Sequence, residues 1–176
     1  MNVSGMNLFL SEDCIKKHLE HLHTMKLKYS ILEKSISDLS GKEIVNILKM
    51  RIGREEKEEA IKLLTYIKSH ECFFSSFIDS PKIIKCGALS SEKIAYEIFT
   101  EAKDKDYGFI YIYKDKEQIK TYYSREGYGV FYRITPILTL DLYEHTYFSD
   151  YGFNKNAFLK GAIAHLDFSK LLPADT

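Results

Sequence analysis

The sequence predicts an α+β fold: a long N-terminal α-hairpin followed by a C-terminal α/β domain with a three-stranded antiparallel sheet. Three observations carry this expectation. Apolar residues recur at helical spacing through two long segments of the first half. Residues 108–124 hold two β-rich runs split by a polar tripeptide. A third β-rich run, residues 133–140, follows a glycine loop and precedes short helical stretches.

Each element has its own signal. Ser11 followed by Glu12 and Asp13 opens the first helix, a cap hydroxyl with acids at the positive end of the helix dipole. Ile15, Leu19, Leu22, Met25, Tyr29, Leu32, Ile36 and Leu39 then keep the helical period, with Lys and Glu between them. Gly41 breaks the pattern, and residues 42–50 read as a short helix. Gly53 and the charged run 54–59 open a second long helix whose buried side is Ile61, Leu64, Ile67 and residues 72–74. The charged run itself is a solvated first turn. Two long helices across a short linker make an antiparallel hairpin. Ser80-Pro81 and Gly87 mark a boundary between a helical unit, residues 1–80, and an α+β unit, residues 88–176. Ser90-Ser91-Glu92-Lys93 starts a helix that runs to about residue 103. Strands 108–114 and 118–124 follow, joined by Asp115-Lys116-Glu117. A loop at Gly127-Tyr128-Gly129 leads to the third strand, and residues 143–172 read as short helices. No internal repeat or low-complexity segment is present.

Composition narrows the function classes. Lys plus Arg equals Asp plus Glu at 25 each, so the net charge is zero, which argues against a nucleic-acid or anionic-membrane partner. Tyr and Phe number 13 and 11 while Trp is absent, so aromatic walls here must be built without indole. Cys14, Cys72 and Cys86 are odd in number and widely spaced, which predicts reduced thiols in a cytosolic protein. Cys72, two residues from His70, is expected to be a buried structural thiol. The first residues carry no basic or apolar signal pattern, and no apolar run reaches bilayer length, so a cytoplasmic location is expected.

The stretch richest in chemistry is Asp141-Leu142-Tyr143-Glu144-His145, at the end of the third strand. An aspartate and a histidine four residues apart there can turn an oxygen and an imidazole nitrogen toward one point. His18 and His70, on the two long helices, are further candidates. Three imidazoles and a carboxylate suit redox-active manganese or iron better than a thiolate-rich structural zinc site.

Residues 135–168 resemble the iron/manganese superoxide dismutases. The run from Pro136 to Tyr151 follows that family's pattern of Pro-Leu-Leu, Asp, aromatic, Glu-His, Ala-Tyr-Tyr and Asp-Tyr nearly without gaps, and residues 162–168 match its closing segment in spacing. Ser69-His70-Glu71-Cys72-Phe73-Phe74 is similar to the family's Asn-His-x-x-Tyr-Trp. The resemblance implies metal ligands at His70, Asp141 and His145, and a fourth on the first helix. Two registers serve there, of which the one through His18 is preferred. His18 keeps the spacing from the Ser11 cap but puts Lys26 where the family has a tyrosine beyond the metal ligands; His21 puts Tyr29 there and needs a three-residue insertion. Tyr29 shares the His18 face in either case, because eleven residues are nearly three whole turns.

The resemblance also implies function. One manganese or iron ion per chain would disproportionate superoxide, with Tyr29, Tyr66 and Tyr143 as hydrogen-bond donors around the bound solvent and Lys26 attracting the anion. Glu144 would reach across a homodimer to the partner's ligand histidine, with Phe148 beside it in the interface. His23 is read as a structural or an exposed residue, and His165 as a surface residue. The departures are the missing Leu-Pro-Tyr opening, the missing tryptophans (with Phe74, Phe109, Tyr111 and Tyr143 in their places) and the missing active-site glutamine, whose helix position is Tyr66. These favour an alternative: the same fold kept as a non-catalytic structural or interaction subunit.

Overall fold

The computed structural model describes residues 4–37, 39–80, 85–86, 89–127 and 130–172. A 3-10 turn, Ser4–Leu8, comes first and buries Met6; no sequence signal announces it. α1 (Glu12–Ser35) starts at the expected cap, where Ser11 Oγ accepts the Cys14 N–H at 3.2 Å. It ends earlier than the apolar period suggests. Ile36 caps it in an extended conformation, yet Ile36 and Leu39 stay buried, so the apolar pattern outlasts the helix and turns at Gly41 with φ +67°. α2 (Ile44–Lys49) occupies part of the expected 42–50 segment. α3 (Arg54–Ser75) is capped by Gly53, whose N–H donates to Glu56 at 3.1 Å. α1 and α3 pack together as the hairpin.

Between the halves lies a two-residue ladder, β1 (Lys85–Cys86) with β2 (Leu89–Ser90), that the sequence reading does not contain. Pro81, Gly87, Tyr128 and Gly129, on which the expected boundary and loop rest, lie outside the described residues. Ser90 caps α4 (Ser91–Ala102) by accepting the Lys93 N–H at 3.4 Å.

The sheet runs β4–β3–β5, all antiparallel, from β3 (Phe109–Asp115), β4 (Gln118–Ser124) and β5 (Pro136–Asp141). The β3–β4 turn puts Lys116 at φ +56°, a conformation non-glycine residues rarely adopt. The third strand differs from its expected 133–140 span. A helical turn, α5 (Val130–Arg133), precedes it, and the ladder starts at Pro136. The turn buries Val130 against Phe109 and Tyr111, and a proline without an N–H suits the first position of a strand.

Strand periodicity decides what each face does. Ile110 and Ile112 pair with Leu140 and Leu138 and join the main core. The alternate residues, Phe109, Tyr111, Thr139 and Asp141, share the other face, with Asp141 directly opposite Phe109. α6 (Glu144–Tyr151), α7 (Lys155–Ala164) and a final 3-10 turn, Phe168–Leu171, complete the chain as the short helices expected there.

Three sets of bonds tie the halves. Ser11 donates to Asp150 from its N–H at 2.7 Å and from Oγ at 2.6 Å, while Cys14 Sγ donates to the Thr146 carbonyl at 3.1 Å. These lock the first turn of α1 onto α6. Ser76, the C-cap of α3, accepts the Thr139 N–H at 2.8 Å and so pins β5 to α3. Its carbonyl accepts the Asp167 N–H at 2.8 Å, fixing the C-terminal segment. A main apolar core results, with Met6 and Ile15 joined to Ile110, Leu140 and Leu171, beside a smaller cluster of Phe109, Tyr111 and Val130. Among the described residues no helix is long and apolar enough to cross a membrane.

Candidate metal centre

α1, α3, the end of β5 and the start of α6 each deliver one side chain to the same place. His18, His70, Asp141 and His145 each offer a donor atom, and these four atoms all lie within 4.8 Å of one another. Asp141 is the hub. Its Oδ1 accepts the Tyr143 N–H at 2.9 Å, which turns the carboxylate so that Oδ2 faces inward. Oδ2 then lies 3.2 Å from His18 Nε2, 3.3 Å from His70 Nε2 and 3.6 Å from His145 Nε2. His18, His70 and Asp141 are fully buried, and His145 is 29% exposed in its side chain.

The tautomer of His70 follows from its partner. Nδ1 lies 2.8 Å from the Tyr66 carbonyl, which can only accept, so Nδ1 carries the proton and Nε2 keeps its lone pair. That lone pair is 3.4 Å from His145 Nε2. His18 Nε2 and Asp141 Oδ2 are buried without a well-formed hydrogen bond. A buried carboxylate oxygen left so costs several kcal/mol, roughly, unless a cation answers it. Lone pairs and a carboxylate that converge with too few protons between them fit a metal ion, and three nitrogens with one oxygen fit manganese or iron.

The electrostatics agree. Burial pushes the His70 imidazole down to about 4, against a smaller upward pull from Asp141. Burial likewise lowers His18. Burial alone would raise Asp141, but the imidazoles of His145, His18 and His70 outweigh it and hold the carboxyl well below the usual carboxylate range. Neutral imidazoles beside an ionised carboxylate are the protonation states a metal requires.

Aromatic residues form the walls. Phe73 and Phe74 lie 5.1 and 4.8 Å from the His18 ring. Tyr66 lies 4.4 Å from His70, Phe109 stands edge-on to it, and Tyr143 stacks on His145 at 5.6 Å. These occupy the surroundings that the absence of tryptophan left to Phe and Tyr.

Residues 85–172, half of the chain, match the family described as iron/manganese superoxide dismutases, C-terminal domain. The chain belongs to the iron/manganese superoxide dismutases. The matched segment carries Asp141 and His145, and the helical hairpin outside it supplies His18 and His70. No curated protein gives a significant match.

Against this superoxide dismutase fold the other expected site residues fall in different places. Of the two first-helix registers, it is His18 that the structure brings into the group. His21 stands next to it, its ring 4.5 Å from His145. Tyr29 is buried about 16 Å further along α1, and its hydroxyl is buried without a hydrogen-bond partner. Tyr143 gives its hydroxyl proton to the Arg125 carbonyl at 2.7 Å, so it meets His145 with its ring face. Glu144 is exposed. Lys26 is paired with Glu71 at 2.6 Å on the surface, which leaves little free charge to attract an anion. Cys14 and Cys72 stand outside the four-residue group, and burial raises both thiols, Cys14 to about 11. Tyr107, which packs on Tyr143 at 5.4 Å, was not singled out from sequence; its place just before β3 was the available signal.

Proposed function

We propose that this protein is a superoxide dismutase that works at one manganese or iron ion held by His18, His70, Asp141 and His145. The observation that carries the reading is the convergence of four donor atoms from four separate elements on one buried point. When bound, such an ion accepts and returns one electron at a time, so that two superoxide anions and two protons become one dioxygen and one hydrogen peroxide. The protein's contribution is positional. Tyr66 fixes the His70 tautomer through its carbonyl, and the Tyr143 N–H orients Asp141. The Phe73, Phe74 and Phe109 walls keep the centre dry, and Tyr143 covers His145 on the more exposed side. Glu144 contributes only if a second subunit meets α6.

Elemental analysis of protein purified without added metal, paired with a dismutation assay, tests this. The native chain should carry close to one manganese or iron per chain, and Asp141→Ala or His145→Ala should lose metal and activity together. Full metal occupancy in both variants would sink the ligand assignment. A metal-free native protein would favour the non-catalytic subunit reading.

A further inference from the structure

His21 has a buried nitrogen with no partner, next to a centre to which it does not belong. It lies one turn beyond His18 on α1. Its ring centroid is 4.5 Å from that of His145 and 5.8 Å from those of His70 and Tyr66. The mutual 4.8 Å grouping of donor atoms includes His18, His70, Asp141 and His145 but not His21. Nevertheless His21 Nε2 is buried and meets no hydrogen-bond partner. Buried imidazole nitrogens are ordinarily bonded, and one that is not marks a place where something other than the protein supplies the bond.

Of the neighbouring unpartnered atoms, His18 Nε2 and Asp141 Oδ2 would be answered by an ion held among the four donors. The half-buried His21 has its ring against those of two of the donors, His70 and His145, so a small molecule attached to the ion on that side would meet it. Manganese and iron take more than four donors, so four protein donors leave at least one position for such a molecule. Tyr66, edge-on to His21 at 69°, walls one side of the ring. We propose that His21 is the hydrogen-bond partner of the small solvent molecule or anion that takes the position left open by His18, His70, Asp141 and His145. The assignment rests on the metal reading above. It makes His21 a binding residue for the exogenous ligand, not a fifth protein ligand.

Azide serves as the probe. Protein reconstituted with iron(III) is titrated with azide and followed by its charge-transfer absorption, with iron content measured on the same samples. His21→Leu and His21→Phe, which lack a donor, should keep their iron and bind azide about ten- to a hundredfold more weakly, the range for losing a hydrogen bond to a charged group. His21→Gln, which retains an N–H donor, should stay within about threefold of the native chain. Unchanged azide affinity in either donor-free variant would overturn the inference and leave the four-ligand reading standing. Loss of iron from all three variants would also overturn it, by making His21 a ligand. A native chain that takes up no iron would remove the metal reading and this inference together.

Discussion

At Asp141 one oxygen is committed to the Tyr143 N–H and the other faces three imidazoles, so the residue titrates as part of a group. The consequence for pH has a definite sign. The folded state lowers His70 from its ordinary 6.5 to about 4, so between those values the unfolded chain binds the proton that the folded chain refuses. Stability of the metal-free protein is therefore intact above 6.5 and falls as pH drops toward 4, where His70 alone removes about 3 kcal/mol. His18 is lowered too and acts in the same direction. Asp141, held below its usual range, retains its contribution through this window and loses it only at still lower pH. Thermal melts of metal-free protein from pH 7 to 4 should show a fall on the order of ten degrees, and His70→Phe should flatten it. A flat profile in the native chain would contradict the buried neutral imidazole. At this scale Asp141, His145 and His70 were legible because each sits in a short local pattern. His18 was preferred over His21 only on its spacing from the Ser11 cap, since residues three apart share a helix face; in the structure it is His18 whose Nε2 meets Asp141 Oδ2, at 3.2 Å. Tyr29 shows the complementary limit: shared angular position on a helix says nothing about a separation of about 16 Å along its axis.

Elements whose ends are set by local chemistry were legible, and those set by packing were not. Ser11 announces the start of α1 through its cap, and the structure adds what the sequence does not display, the bonds from Ser11 to Asp150 in α6. The end of α1 is hidden because Ile36 and Leu39 remain buried after the helix has stopped. The helical turn before β5 is hidden for a related reason: β-branched and aromatic residues 130–135 suit a strand, and only the burial of Val130 against Phe109 and Tyr111 selects a helix. Ser11 gives the element-scale prediction. Ser11→Ala removes the cap and the hydroxyl bond to Asp150, and should cost about 1–2 kcal/mol, a drop of roughly 2–8 °C in Tm. Asp150→Ala removes the same bond from the other side. Because the two share an interaction, the double variant should cost less than the sum of the singles. Strict additivity in that cycle would mean the hydroxyl bond from Ser11 to Asp150 contributes nothing to holding α1 on α6, the Ser11 N–H bond being kept in Ser11→Ala.

On the scale of the whole molecule, the isolated chain leaves one region incompletely covered. Glu144 and Phe148 are four residues apart on α6 and share a face. Phe148 is 44% exposed and Phe153, just past the helix, is 93% exposed, with their rings 5.3 Å apart. His145, on the first turn of the same helix, has the only partly exposed side chain of the four proposed ligands. An exposed aromatic pair beside a half-open centre is the kind of surface a second subunit covers. The family resemblance expects that subunit to be another copy, with Glu144 accepting from the partner's ligand imidazole and so raising its basicity. A twofold arrangement would set each α6 against the other and bring both aromatic pairs into one patch. Zero net charge removes long-range repulsion between the copies. The native chain should therefore scatter light at micromolar concentration as twice its 20.5 kDa mass. Phe148→Ser combined with Phe153→Ser should weaken the dimer by roughly a hundredfold or more, from the apolar area lost, without lowering the Tm of the monomer. Glu144→Gln should leave the dimer in place but loosen the metal, because it removes the carboxylate charge that raises the basicity of the partner's imidazole while keeping the shape. A native chain that runs as a monomer with full dismutation activity would refute the dimer and reduce Glu144 to a surface acid.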